Sequence, residues 1–411
     1  MDRTQLINYI IRQRNAKRYL EIGLTGKDGN FGRINCRYRV LVGQQDTAVF
    51  RGSSDEYFQQ HHEKFDIILI DGVHTEEQVL KDVENALACL SPNGVIIIHD
   101  CLPPDKWHQR DPEQFKEGEN WNGTVWKAVL RIFNRSRFKC CVLDTDWGCG
   151  IIDTAATQSA LYVDLPMELD YTDHFKKLLT YKVSVNDWLR ENIKVFYHLA
   201  CIGNWREVFT EQVSVLEQSR FQWIDMMVLG TFNDFNWVID SLQVSALRLS
   251  IVRHENDIML FECPSLMAIQ EYAKQHEGFV LYLHSKGVSN PADCNRAKWR
   301  RLMMNELVVN SEYCRAQLLE YDLIGVNWRD MQPIPHYCGN FWYASTQYIR
   351  KLPDFNHYYN HPRYRIWDTV NSKRLGCEFW IGASREQPRI LSLVYRNEDF
   401  TNPAFWENKH N

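Results

Sequence analysis

The sequence predicts an α/β protein of two domains, each a largely parallel sheet covered by helices, and three observations carry this. The chain runs to 411 residues, more than one hydrophobic core usually organises. Short apolar runs of strand length alternate with amphipathic runs of helix length over residues 1–155, and the alternation starts afresh at residue 193. Between them, residues 156–192 lose that regularity without becoming rich in Gly, Ser or Pro, which predicts an ordered, packed connector and not a flexible tether. The expected division is therefore 1–155, 156–192 and 193–411, with no internal repeat.

Bulk properties exclude several classes of function. The formal net charge is -5 and the basic residues are scattered, so no nucleic-acid groove is expected. No run approaches the roughly 18 apolar residues of a membrane span. The start, "MDRTQLINYIIRQRNAKRY", mixes charged and apolar residues at helical spacing, unlike a secretion signal. The 12 cysteines include no CxxC pair, which argues against a zinc ribbon or a redox couple. They read as buried thiols in a reducing compartment, and a cytoplasmic location is the expectation.

In the first half, Tyr19 to Ile22 form a short strand that ends in Glu21-x-Gly23, a turn tight enough for backbone to approach a ligand. "KFDIILIDGVHTEEQVLKDVENALACLSPNGVIIIHD" predicts a strand at 66–70, a helix near 75–90, a Pro-Asn-Gly turn and a strand at 94–98. Val79, Val83, Ala86, Leu87 and Leu90 form the helix face that covers the sheet. Asp71, His74, His99 and Asp100 then arrive at the carboxyl ends of strands, the edge at which doubly wound sheets bind ligands. Two acids and two histidines there can bind a divalent cation or take a proton from a hydroxyl; the alternative is that Asp71 and Asp100 cap helices or turns.

Six ordered motifs, "YLEIG", "SSDEYF", "FDIILIDGVHTEEQVLKDVENAL", "HDCLPP", "WNGTVWKA" and "DTDWGCGII", resemble the small class I S-adenosylmethionine-dependent methyltransferases found beside glycan-building enzymes. The resemblance covers residues 15–155 and implies a Rossmann-like fold, with Glu21 and Gly23 at the amino-acid and ribose end of the cofactor. It further implies a magnesium ion held by Asp71, Asp100 and His99, and a sugar hydroxyl deprotonated by His74 with Asp71. One departure stands out. Where the family carries an acid for the ribose hydroxyls, this chain reads "RVLVGQQD", leaving Gln44 or Asp46 to take that place.

The second half opens with "IKVFYHLACIGNWREVFTEQVSVLEQS", a strand, a loop and a helix, followed by the strand "IDMMVLGTF". After "SALRLSIVRHEND" come the helix "CPSLMAIQEYAKQHE" and the strand "VLYLHSKGVS", in which Val280 to Leu283 point inward and His284 and Lys286 surface at a turn. "NWRDMQPIPHYCGNFWYA" gathers Trp328, His336, Asn340 and Trp342, the aromatic and amide groups that bind a pyranose.

With "NWREVFTEQ", "FECPSLMAIQEYA", "DLIGVNWRD", "HYCGNFWYASTQYIRKLP" and "CEFWIG", this order resembles a GT-A-type glycosyltransferase of surface-polysaccharide and viral glycan clusters, over residues 193–395. The resemblance implies a nucleotide-sugar donor and a glycan acceptor. Better-known members end the strand at "VLYLHSKG" in an Asp-x-Asp pair that holds a metal, and here those acids are absent. His284 and Lys286 are the expected donors to the diphosphate, which makes this domain metal-independent. Glu378 is the first candidate for the base of an inverting transfer and Asp368 the second.

The combined expectation is a bifunctional enzyme that builds a glycan and O-methylates it. Two alternatives stay open: a glycosyltransferase with a degenerate methyltransferase-like domain, and a non-catalytic carbohydrate-binding protein.

Overall fold

The computed structural model describes residues 1–23, 29–116, 118–159, 162–219, 221, 224–243, 245, 247, 249–330, 334–361 and 370–394. The chain divides into two compact units, Met1–Trp188 and Leu189–Asn411. Most of segment 156–192 thus lies within the first unit.

The first unit opens with α1 (Arg3–Arg14), whose start is fixed by a reciprocal cap: Asp2 accepts from the Gln5 backbone N–H and Gln5 from that of Asp2. There follow β1 (Arg18–Gly23), β2 (Tyr38–Gly43), β3 (Phe50–Arg51), α2 (Ser54–Gln60), β4 (Phe65–Asp71), α3 (Glu76–Cys89) and β5 (Leu90–Ile98). The unit continues through α4 (Val125–Arg135), β6 (Phe138–Leu143), β7 (Cys149–Thr157), α5 (Tyr171–Leu178) and β8 (Lys182–Val183). The sheet order is β3-β2-β1-β4-β5-β7-β6-β8, with β7 antiparallel to both neighbours. Order reverses beside β1, so a crevice opens at the carboxyl ends of β1 and β4, where Gly23 pairs with Asp71.

Burial explains the layers. On α3, Val79, Val83 and Ala86 are buried, whereas Leu87, expected on that face, is exposed. The Pro92-Asn93-Gly94 turn lies inside β5 as a bulge, since Leu90 sits opposite Phe65 and Val95 opposite Ile67. Asn93 takes the left-handed backbone this needs, at φ 62°. Trp126 of α4 is fully buried and meets Tyr171 and Phe175 of α5 edge-on. That contact is why the segment after β7 packs as part of this unit.

The division between units falls within α6 (Val185–Glu191). The second unit contains β9 (Ile193–Ala200), α7 (Trp205–Gln218), β10 (Ile224–Leu229), α8 (Phe232–Leu242), β11 (Leu249–Glu255), α9 (Cys263–Gln275) and β12 (Phe279–His284). Its later part contains α10 (Cys294–Met304), α11 (Ser311–Gln317), β13 (Leu323–Gly325), β14 (Trp328–Arg329), β15 (His336–Tyr337) and β16 (Trp342–Ser345). Then come α12 (Thr346–Ile349), α13 (Phe355–Asn360), α14 (Val370–Phe379) and β17 (Ile390–Ser392). The main sheet runs β11-β10-β9-β12-β16-β13-β17, with β16 antiparallel to β12 and β13. Order again reverses beside the first strand, between β9 and β12, and the core gathers around Phe196, Val280, Tyr282, Trp342 and Trp380. Among the described residues no helix is long and apolar enough to cross a membrane.

Candidate functional site

Each unit places ionisable side chains in the crevice where its strand order reverses. In the first, Asp71 ends β4, His74 follows in the loop to α3, and Asp100 follows β5. One ligand atom from each of Asp71, His74 and Asp100 lies within 4.8 Å of the other two. His74 Nδ1 sits 3.1 Å from the Trp121 carbonyl, which can only accept. That places a proton on Nδ1, and the Nε2 edge of the ring faces the carboxylates, 3.4 Å from Asp100 Oδ2 and 3.7 Å from Asp71 Oδ1. The two carboxylates are oxygen donors that fit a divalent cation, and the imidazole beside them can serve as a base.

His99, expected as a ligand, is not one of the three clustered residues. Its Nδ1 lies 3.0 Å from Asp71 Oδ1 and 2.9 Å from Asp100 Oδ2. Burial opposes a charge on this ring, whereas hydrogen bonds to Asp100, Asp146 and Asp71 push its pKa up to about 12. The Arg3 Nη1 contact at 2.9 Å from Nε2 requires the opposite, because a guanidinium only donates. With its Nε2 lone pair facing Arg3, His99 carries its proton on Nδ1, shared between the two acids it orients.

Arg3 supplies a positive charge here that no sequence pattern foretells. Its backbone N–H donates to Asp146 Oδ2 at 2.8 Å, and its Nε lies 3.5 Å from Asp71 Oδ2. Burial would raise the Asp71 carboxyl, but hydrogen bonds with His74 and His99 and the charge of Arg3 hold it well below the usual range. Burial would lower the His74 imidazole, and Asp71 and Asp100 outweigh it and raise it.

On the β1 side, a Cβ at Gly23 would lie 2.6 Å from the Asp71 carbonyl oxygen, so only glycine allows the two strand ends this close. Glu21 is fully buried; one oxygen accepts from Tyr19 Oη at 2.6 Å and Asn30 Nδ2 at 2.9 Å, and Oε1 has no partner among the described residues. Burial pushes this carboxyl up to about 7 against those two hydrogen bonds. Gln44, expected at the ribose, is exposed. Its neighbour Gln45 faces the crevice instead, donating to the Gly23 carbonyl at 3.2 Å, because alternation past the end of β2 turns successive side chains to opposite sides.

Backbone strain concentrates at this crevice. Asp100 (φ 61°), Asp146 (φ 46°) and Trp147 (φ 63°) all adopt the left-handed region, which costs a non-glycine residue roughly 1–2 kcal/mol. Asn122 ties the ring of contacts together, donating through Nδ2 to Asp100 Oδ1 at 2.9 Å.

In the second unit a cavity of about 420 Å³ opens at the ends of β9, β10 and β12, with Glu262, His284, Lys286, Arg374 and Glu378 at its polar end and Ile258 among its apolar wall. Lys286 and Glu378, far apart in sequence, are brought together here. Burial lowers the Lys286 ammonium against the pull of Glu378 and Glu262, and its Nζ lies 4.1 Å from the centre of the Trp299 ring. Burial would raise Glu378, but the charges of Lys286 and His336 and the Gly339 N–H at 2.5 Å hold it down, so it is a carboxylate. The loop after Lys286 is seated by Gly203 (φ +59°), where a Cβ would meet the Val288 carbonyl oxygen at 1.8 Å.

His284 departs from its expected role. Its Nε2 lies 2.8 Å from the Gly339 carbonyl, so the N–H is already donated there. Burial and the Lys286 charge push the ring down to about 3. A neutral imidazole with only Nδ1 left offers a diphosphate a lone pair where it needs a proton. The aromatic stretch departs likewise: Trp342 is 0 % exposed and donates to Asn340 Oδ1, and Trp328 is 5 % exposed and donates to Asp330. Neither leaves a ring face for a sugar. Asn340 is buried and donates to Glu262, while His336 packs its ring against Phe379, 4.6 Å between centres. Asp368 lies outside the described residues.

Glu262 and Arg374 were missed, since neither stands at a strand end in the sequence pattern. Asp146 and Trp147 had a signal, the quoted "DTDWGCGII", but no chemistry attached to it.

Comparison with known proteins divides along the same units. Residues 13–101 match a family described as "Methyltransferase domain", and residues 196–385 match "Domain of unknown function (DUF8361)". No curated protein matches the chain. Among solved structures, the SAH-bound Podospora anserina methyltransferase PaMTH1 is similar at 18% identity, over 38% of this chain and 78% of that one, with a TM-score of 0.29. MycE methyltransferase from the mycinamycin biosynthetic pathway, in complex with Mg, SAH and mycinamycin VI, is similar at 15% identity over 39% and 50%, TM-score 0.26. S. aureus TarS is similar at 11% identity over 48% and 60%, TM-score 0.28. Within the first unit, a doubly wound α/β sheet, residues 13–101 thus match a methyltransferase domain.

Proposed function

We propose that the first unit transfers a methyl group from S-adenosylmethionine to a sugar hydroxyl, and that the second transfers a sugar from a nucleotide-sugar donor to a glycan acceptor. The observation that carries the first half is the meeting of Asp71, His74 and Asp100 in the crevice beside Gly23. When bound, S-adenosylmethionine supplies the methyl on a sulfonium, and a divalent cation lowers the pKa of the hydroxyl under attack. Asp71 and Asp100 would hold that cation. His74, its tautomer set by the Trp121 carbonyl, takes the hydroxyl proton on Nε2. Glu21 and Gln45 line the cofactor end, Glu21 with an oxygen still to be satisfied. Gln45, tied to the Gly23 carbonyl, stands nearer the ribose end than the exposed Gln44.

The second half rests on the cavity at the reversal of strand order, which joins an apolar wall suited to a nucleobase with Lys286 and Arg374, donors to a diphosphate. Glu378 is the carboxylate placed to accept the acceptor's proton. A cytoplasmic place in polysaccharide biosynthesis agrees with both reactions. A second reading, a first unit retained only for its fold, draws on the missing ribose acid.

Two variants test the halves separately. His74→Ala is expected to lose about 100-fold or more in methyl transfer to methyl pyranosides while S-adenosylhomocysteine affinity by calorimetry stays within about threefold. Lys286→Ala is expected to abolish sugar-nucleotide hydrolysis without touching methylation. Undiminished turnover in either variant removes that residue's half, and absence of S-adenosylhomocysteine binding by the wild type selects the second reading.

A further inference from the structure

The motif "DTDWGCGII" forms the turn between β6 and β7, and methyl-transfer chemistry leaves its tryptophan unused. Asp146, Trp147 and Gly148 follow one another in the left-handed region, at φ 46°, 63° and 89°. The turn is stitched to the stretch that follows Asp100: Leu102 N–H donates to the Trp147 carbonyl at 2.8 Å, and Cys101 N–H to that of Gly148 at 3.0 Å. Its Asp146 carboxylate faces Arg3 and His99. Trp147, by contrast, is 41 % exposed, has the His108 ring 5.7 Å away, and has no partner for its indole N–H among the described residues. Packing accounts for a buried tryptophan in a strained backbone. It does not account for a half-exposed one.

The position of this ring suggests what it is for. The His108 carbonyl accepts from Asn122 N–H at 2.9 Å, and Asn122 in turn holds Asp100. Trp121 stacks on His74 at 5.5 Å and is backed by Phe115 at 4.8 Å. Trp121 thus covers His74 itself, and the turn that carries Trp147 is tied to the same cluster through Asp146 and through the stretch after Asp100. A pyranose presents an apolar face of C–H groups that stacks on an indole and a rim of hydroxyls that does not.

We infer that Trp147 is the platform for the acceptor sugar: the apolar face of a pyranose lies on the indole, which presents one hydroxyl of that ring to His74. The identity of the reaction rests on the methyl-transfer reading above, and the binding does not. Saturation-transfer NMR on the full chain with methyl glucoside, mannoside, galactoside, fucoside and rhamnoside tests it. At least one pyranoside is expected to receive saturation on the C–H protons of a single face. The signal falls fivefold or more in Trp147→Ala, survives in part in Trp147→Phe, and is lost in Trp147→Gly without a fall in melting temperature, because glycine relieves the backbone. Equal signal in wild type and Trp147→Ala overturns the inference. So does a drop of several degrees in Trp147→Gly, which would make the ring a prop, or binding of caffeate in place of every pyranoside. Calorimetry with S-adenosylhomocysteine separates the two readings: Trp147-dependent pyranoside binding in a chain that ignores S-adenosylhomocysteine keeps the platform and removes methyl transfer.

Discussion

Glu21 shows how much a single side chain can conceal. The strand and its Glu-x-Gly ending are legible in the sequence, but burial, the Tyr19 and Asn30 hydrogen bonds and the orphaned Oε1 are properties of the packed fold. They have a measurable consequence. The carboxyl titrates near 4.5 when unfolded and is raised to about 7 when folded, so between those values the native state binds the extra proton and stability falls as pH rises. The full shift corresponds to about 3 kcal/mol. Urea titrations at pH 5 and pH 8 should therefore find Glu21→Gln more stabilising at pH 8, by about 2–3 kcal/mol relative to pH 5; an equal effect at both would refute the shift. His284 was misread for a related reason. A histidine at a strand end looks available, yet what it donates to is a carbonyl 55 positions later, which no local pattern foretells.

At the scale of elements the sequence was more forthcoming. α3, β4 and β12 lie where periodicity puts them, and Asp71, His74 and Asp100 meet because all three leave the same edge of one sheet. α8, by contrast, had no predicted counterpart, and the aromatic stretch from Trp328 to Trp342 reads equally as core or as binding surface until burial is known. The loop between β9 and α7 carries the clearest mechanical constraint. Gly203→Ala would combine a left-handed backbone with a clash against the Val288 carbonyl, both on the wall that seats Lys286. We expect a loss of about 2 kcal/mol or more in urea unfolding together with weaker nucleotide binding. A variant of wild-type stability would mean that the loop yields freely.

For the whole molecule, two separate cores and two crevices imply two ligand responses. A ligand that binds only the folded form raises stability as the logarithm of its concentration over Kd, about 2.7 kcal/mol at a hundredfold excess. S-adenosylhomocysteine is expected to shift the unfolding of the first unit, followed by Trp126 burial, and UDP or GDP that of the second, followed by hydrogen exchange in β12. A single ligand shifting both equally would contradict the assignment of one chemistry to each. Two-domain organisation was legible because the strand–helix alternation restarts, whereas the place of segment 156–192 depended on Trp126 meeting Tyr171 and Phe175, a contact between residues without sequence proximity. The left-handed run at Asp100, Asp146 and Trp147 bears on how such a chain can change over generations. A mutant library screened for heat tolerance alone would keep Asp100 and Asp146 for their bonds to Asn122, His99 and Arg3 and enrich a glycine codon at position 147, whereas a screen for the proposed turnover would retain the indole, so the two screens should drift toward different sequences from one starting gene.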